Sequence, residues 1–168
     1  MTRRVICGLV LAATAAVGTP LMTSAPAIAE VSAVAPAADL DGFAISWLPP
    51  DLGTASDFSY EWDGVQFRSR VWETGPDASG GYHEDLAVDV LRGDALTSAP
   101  QLYRWLKDYE DREQWRFVPF AFRGRPGYLG ADEAFWLVRP GVAVMMRINR
   151  DEYSLGQLLR VADGIHPE

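Results

Sequence analysis

The sequence predicts an α+β domain: a curved antiparallel meander sheet of about seven strands, with two helices packed on one face. Three observations carry this. Short apolar runs with period-two alternation follow one another, separated by tight-turn residues. Two stretches, 98–110 and 154–164, switch to helical spacing. The order is strands, helix, strands, helix, and short connections make consecutive strands antiparallel neighbours.

Residues 1–29 read as a secretory signal peptide. Arg3 and Arg4 supply the charged start, 5–22 is largely apolar, and Ala27-Ile28-Ala29 fits the small-x-small cleavage rule. The alternative, an uncleaved anchor, is opposed by Gly18-Thr19-Pro20 inside the apolar run. The mature chain is expected to begin at Glu30, with no stable membrane anchor and a secreted or extracytoplasmic location. The paired arginines raise a twin-arginine route, but the residues that normally follow are missing. Cys7 leaves with the signal.

Removal of 29 of the 168 residues leaves 139, without any cysteine. That excludes disulfides, thiol nucleophiles and thiolate metal sites. The formal charge goes from −8 to −10, because Arg3 and Arg4 depart and no acid does. So acidic a chain is a poor partner for nucleic acid or anionic membranes. One lysine, Lys107, stands against fourteen arginines. With much Ala, Gly and Pro this is the mark of GC-rich codons. A chain of this length forms one domain and buries about two-thirds of its unfolded surface.

Residues 30–41, rich in Ala, Val and Pro, read as a flexible tether, with a single domain at 42–168. Phe43, Ile45 and Trp47 alternate in a first strand that stops at Pro49-Pro50. Asp63-Gly64, between 58–62 and 65–73, favours a type I′ hairpin with Trp62 opposite Val65 and Tyr60 opposite Phe67. A Gly-rich loop at 74–81 lacks the residues of a phosphate cradle. The next strand is 82–91. Ser98 caps a helix whose stripe is Leu102, Trp105, Leu106 and Tyr109, and Pro100 suits its first turn. Residues 115–122 form another strand, 123–127 turn the chain, and 128–129 form a short strand.

The centre of the fold is 134–164. Two apolar strands flank Arg139-Pro140-Gly141, which places Val138 opposite Val142, Trp136 opposite Val144 and Phe135 opposite Met145. Both faces of these strands are apolar, so the hairpin belongs inside a sheet covered on both sides. The same two-sided pattern leaves room for a concave face that holds an apolar ligand. Ser154 is the expected N-cap of the closing helix, Gly164 its C′ residue, and Leu155, Leu158, Leu159 and Ala162 its stripe. His166 then falls in a tail.

Chemistry-bearing groups cluster in one place. With Glu73 opposite Tyr82, Trp72 faces His83, Arg70 faces Asp85, and Arg68 lies between Asp85 and Asp89. Arg68, Arg70, Trp72, His83, Asp85 and Asp89 are therefore the candidate binding residues. Their structural reading is a salt-bridged outer sheet face, where exposed pairs contribute about 0–1 kcal/mol each. On that reading Asp85→Asn changes stability by less than about 1 kcal/mol. If the cluster is instead a site, its binding or activity is expected to depend on pH near 6.5, the unperturbed histidine value. The arginines would repel a cation, so no metal site is assigned, and no cofactor motif exists. No Gly-x-Ser-x-Gly elbow is present, and no catalytic residue is assigned.

Phe122-Arg123-Gly124-Arg125-Pro126-Gly127, residues 134–138, Pro140-Gly141-Val142 and residues 158–165 together carry a resemblance. They are similar to small secreted proteins of unknown function from GC-rich Gram-positive bacteria. More distantly they resemble the extracytoplasmic sensor-like domain of some Gram-positive anti-sigma factors, a lipoprotein-carrier-like sheet. Trp47-Leu48-Pro49-Pro50 looks like the start of such domains. The resemblance implies a half-open sheet and carries over no catalytic residue.

Three functions follow from the sequence. The first is a secreted, non-catalytic binding or accessory domain for a protein or envelope component. The second is a carrier or sensor of an apolar ligand in the sheet's concavity, favoured by a large pocket lined by Phe120, Phe122, Met145 and Trp residues. The third is a small hydrolase, which needs His83 and two acids in a closed cleft.

Overall fold

The computed structural model describes residues 39–168; the expected signal peptide and most of the expected tether lie outside them. The chain runs β1 (Phe43–Ile45), β2 (Thr54–Trp62), β3 (Val65–Thr74), β4 (His83–Arg92), α1 (Ala99–Glu110), β5 (Val118–Phe122), β6 (Arg125–Leu129), β7 (Glu133–Arg139), β8 (Val142–Ile148), α2 (Leu155–Gly164) and β9 (Ile165–Pro167). Seven strands form one antiparallel sheet in the order β2-β3-β4-β8-β7-β6-β5, and β1 pairs with β9. The class is the predicted one. The sheet is two meanders rather than one, because α1 carries the chain from β4 to the far edge and β8 closes against β4.

Turn chemistry fixes the hairpins. Asp63 and Gly64 have φ of 46° and 73°, and Arg123 and Gly124 have 50° and 78°. Two consecutive positive φ values make the type I′ turn that matches strand twist. Trp62 pairs with Val65 and Tyr60 with Phe67, as predicted. Trp136 pairs with Val144 and Phe135 with Met145, also as predicted. Val138 does not face Val142. Arg139 does, and Val138 is the extra residue of a bulge between Leu137 and Arg139.

Alternation along β7 and β8 decides where the helices go. Ala134, Trp136, Val144 and Met146 face one core; Phe135, Leu137, Ala143 and Met145 face the other. Helix α2 lays Leu158, Val161 and Ala162 on the first, and α1 lays Leu102, Trp105 and Leu106 on the second. The helices therefore cover opposite faces, not the single face predicted. Strands apolar on both sides need a cover on each, and one helix layer supplies only one.

Several boundaries shift for local reasons. Leu40 is 5% exposed in the α2-side core, so the fold begins before Gly42. Strand β5 starts at Val118, because Trp115 and Phe117 turn onto Tyr103 and Phe135 in an aromatic cluster beside α1. Ser98 accepts from the Gln101 N–H, and Ser154 forms a capping box with Gln157. Gly164 is not a left-handed cap. The backbone N–H and hydroxyl of Ser46 both donate to its carbonyl, and a Cβ there would stand 3.0 Å from the Trp47 nitrogen. His166 is no tail residue: it sits in β9 opposite Ala44. No helix among the described residues is long and apolar enough to cross a membrane.

Candidate functional site

The β3–β4 register differs from the predicted one and scatters the six candidate residues. Thr74 pairs with His83 and Glu73 with Glu84; then Asp85 is inserted, and Trp72 pairs with Leu86, Arg70 with Val88 and Ser69 with Asp89. The loop closes two residues later than predicted and the bulge adds a third. Within the loop, one Asp77 carboxylate oxygen accepts from the Ser79 hydroxyl and from the Ser79 and Gly81 N–H groups. These bonds hold Asp77 down at about 2.

The candidates therefore do not form one outer face. Trp72 is buried in the α2-side core. Arg70, also buried, forks onto Asp57 through Nε at 2.6 Å and Nη2 at 2.8 Å. Asp57 holds its guanidinium above the ordinary value. Arg68 is exposed. The His83 imidazole is largely exposed, 3.5 Å from Asp77. Asp85, which no arginine faces, is 3% exposed and accepts from the Gly53 N–H at 2.9 Å and the Thr74 hydroxyl at 2.7 Å. It ties the start of β2 to the end of β3. Removing a buried acceptor strands its donors, so Asp85→Ala is expected to cost about 1–3 kcal/mol in a denaturant melt. That replaces the smaller effect expected of an exposed pair.

Asp89 lies on the α1 side. Its carboxylate accepts from the Ser69 hydroxyl, and the Tyr60 and Tyr109 hydroxyls share a 2.9 Å hydrogen bond nearby. Burial, then the Asp89 charge, pushes Tyr60 well above its ordinary value. Protein atoms crowd Asp89, although its side chain keeps some solvent contact. Burial raises it from 3.8 to about 6, against the pull of Ser69 and Arg147. An acid raised on folding binds its proton more tightly in the folded state. Its stabilisation is then greatest below about 4 and is lost as pH rises to about 6. Asp89→Asn is expected to make the fall in melting temperature between those pH values shallower. An unchanged slope would show that Asp89 is not its source.

Beside Asp89 stands a charge network that the sequence reading missed. Glu133, buried at the start of β7, accepts from Arg147 Nε at 2.8 Å and from Arg112. Arg147 also lies 3.4 Å from Glu110 and 3.8 Å from Glu84. Burial lowers the Arg147 pKa, but Glu133, Glu84, Glu110 and Asp89 more than offset that. Burial in turn raises Glu84 and Glu110.

Arg147 and Glu84 also line an open cleft of about 1070 Å³ at this end of the sheet. Its walls are the β3–β4 loop ends, Pro50-Asp51, and the turn from Asn149 to Tyr153 leading into α2. Seven acids line it, against Arg147 and Arg150. Arg147 is held by the network, and Arg150 donates to the Tyr153 carbonyl at 2.7 Å. The chain matches no family model, no curated protein and no solved structure.

His83, Glu84 and Asp85 all reach this cleft, but their side chains are held by different partners. His83 turns toward Asp77, and Asp85 is occupied by Gly53 and Thr74. The residues expected to line an apolar pocket do not share one face. Met145 packs on the α1 side, Phe122 packs against Trp136 on the α2 side, and Phe120 is 40% exposed. Among the described residues no group of three or more His, Cys, Asp or Glu is placed to hold a metal.

Proposed function

We propose that this protein is an exported, non-catalytic binding domain whose cleft receives a cationic segment of a protein or envelope component. The observation that carries this is the cleft: about 1070 Å³, with seven acids and two arginines that already have partners. Excess negative charge on concave walls concentrates field and favours cationic, hydrogen-bonding ligands. Helices filling both faces of the sheet weigh against the apolar-carrier reading. Export rests on Arg3-Arg4, the apolar run and Ala27-Ile28-Ala29. The distant resemblance to extracytoplasmic sensor-like domains is in keeping with that location.

The test is calorimetric titration with a lysine-rich peptide across a salt series. Binding should weaken as salt rises. Glu73→Gln with Glu152→Gln, both at the cleft wall, should weaken it several-fold and leave the melting temperature unchanged. A fatty acid that raises the melting temperature, where the peptide does not, would overturn the reading in favour of the apolar carrier.

A further inference from the structure

The two edges of the seven-stranded sheet are treated differently. Phe122 and Arg125 flank the Arg123-Gly124 turn, so they form a hydrogen-bonded pair, and so do Phe120 and Gly127. On β5, Ala121 and Pro119 are left facing outward. The strand has five residues, and Pro119 presents no N–H. That edge is blunted, as exposed edges usually are.

Strand β2 is the opposite case. It has nine residues, no proline, no lysine and no register shift against β3. Trp62 and Val65 flank the Asp63-Gly64 turn, so Trp62, Tyr60, Phe58 and Ser56 direct their backbone groups to β3. Ala55, Asp57, Ser59 and Glu61 turn theirs outward. No backbone hydrogen bond among the described residues reaches that outer edge. Among the described residues, four successive donor–acceptor sites stand open on a sheet whose other edge is closed by a proline.

We propose that the β2 edge pairs with the β2 edge of a second copy of this chain, antiparallel and centred on Phe58. A two-fold axis pairs a strand with itself, and outward residues must meet outward residues. Centring on Phe58 satisfies this and uses the whole strand. Asp57 then faces Ser59 of the second copy, and Ala55 faces Glu61. Centring on Asp57 would oppose two copies of that carboxylate. Centring on Ser59 would set Asp57 against Glu61. Like charges directly opposite are destabilising, so one register is selected. It also stacks apolar groups on the α1 side. Phe58 meets Phe58 across the axis, and Trp62, 39% exposed, reaches over Thr54.

The sequence offers a direct test, because no cysteine follows Ala29. Phe58 pairs with itself at a non-hydrogen-bonded position, where Cα atoms stand about 4.5 Å apart. That is within disulfide reach. Under mild oxidation of the exported protein, Phe58→Cys should cross-link into covalent dimers. Ser56→Cys alone should not, while Ser56→Cys with Tyr60→Cys should. In sedimentation the unsubstituted protein should approach the mass of two chains as concentration rises. Phe58→Lys, which sets two ammonium groups face to face, should stay at the mass of one chain with an unchanged circular dichroism spectrum. A single-chain mass at every concentration, or cross-linking by Ser56→Cys alone as efficient as by Phe58→Cys, would overturn the proposal.

Discussion

Trp136→Ala is expected to lower stability by about 3–5 kcal/mol, the range for truncating a large aromatic in a packed core. Trp136 is 1% exposed on β7, stacked on Phe122 with ring centroids 4.8 Å apart and paired across the hairpin with Val144. It faces α2, whose Leu158 and Val161 belong to the same core. For a domain of this size the loss corresponds to a fall in melting temperature of roughly 10 °C or more. Gly127 sharpens the expectation. A Cβ added at Gly127, the β6 partner of Trp136, would stand 2.6 Å from the Trp136 Cβ, so only glycine fits beside this residue. A melt shifted by only a degree or two would show that this core does not hold the sheet to α2.

Arg147→Met is expected to be the second large effect, about 2–4 kcal/mol at neutral pH. Breaking a buried ion pair from one side costs about 3–5 kcal/mol, and the range is lowered because the Arg147 side chain is 33% exposed. The variant leaves Glu133, Glu84, Glu110 and Asp89 without the charge that opposes their burial; among the described residues only Arg112 still forms an ion pair with Glu133 and Glu110. Glu84, Glu110 and Asp89, already raised by burial, would then be raised further. The deficit should therefore shrink as pH falls and they take up protons. Denaturant melts at neutral and mildly acid pH check both size and direction. A deficit that grew on acidification would contradict the assignment.

The central hairpin was legible because its information is local. Turn residues set where the chain reverses, and the alternating apolar pattern set the pairs Trp136–Val144 and Phe135–Met145. Carried two steps further out, the same register puts Glu133 opposite Arg147. The heart of the charge network was thus readable in the sequence, though Glu110 and Arg112 arrive from α1 by tertiary packing. The caps Ser98 and Ser154 were legible for the same local reason.

The β3–β4 pair was not. Its loop is shaped by one Asp77 carboxylate gathering Ser79 and Gly81, and the inserted Asp85 has no signature of its own. Each residue of slip moves a side chain to the other face. This is why Arg70, Asp85 and Asp89, read as one salt-bridged surface, lie with Asp57, with Gly53 and Thr74, and with Ser69. The helices misled for a different reason. Their stripes say that each covers an apolar face, but not which one. The two-sided pattern of β7 and β8 held that answer.

The most direct test of the cleft as the binding site is a map of backbone amide shifts in the ¹⁵N-labelled protein as a lysine-rich peptide is added. Shifts are expected to group at Thr74, His83, Asn149 and Glu152 around the cleft, and to be diminished by salt and by Glu73→Gln with Glu152→Gln. Shifts absent from those four residues, or confined to the α1 and α2 faces of the sheet, would contradict the cleft as the site.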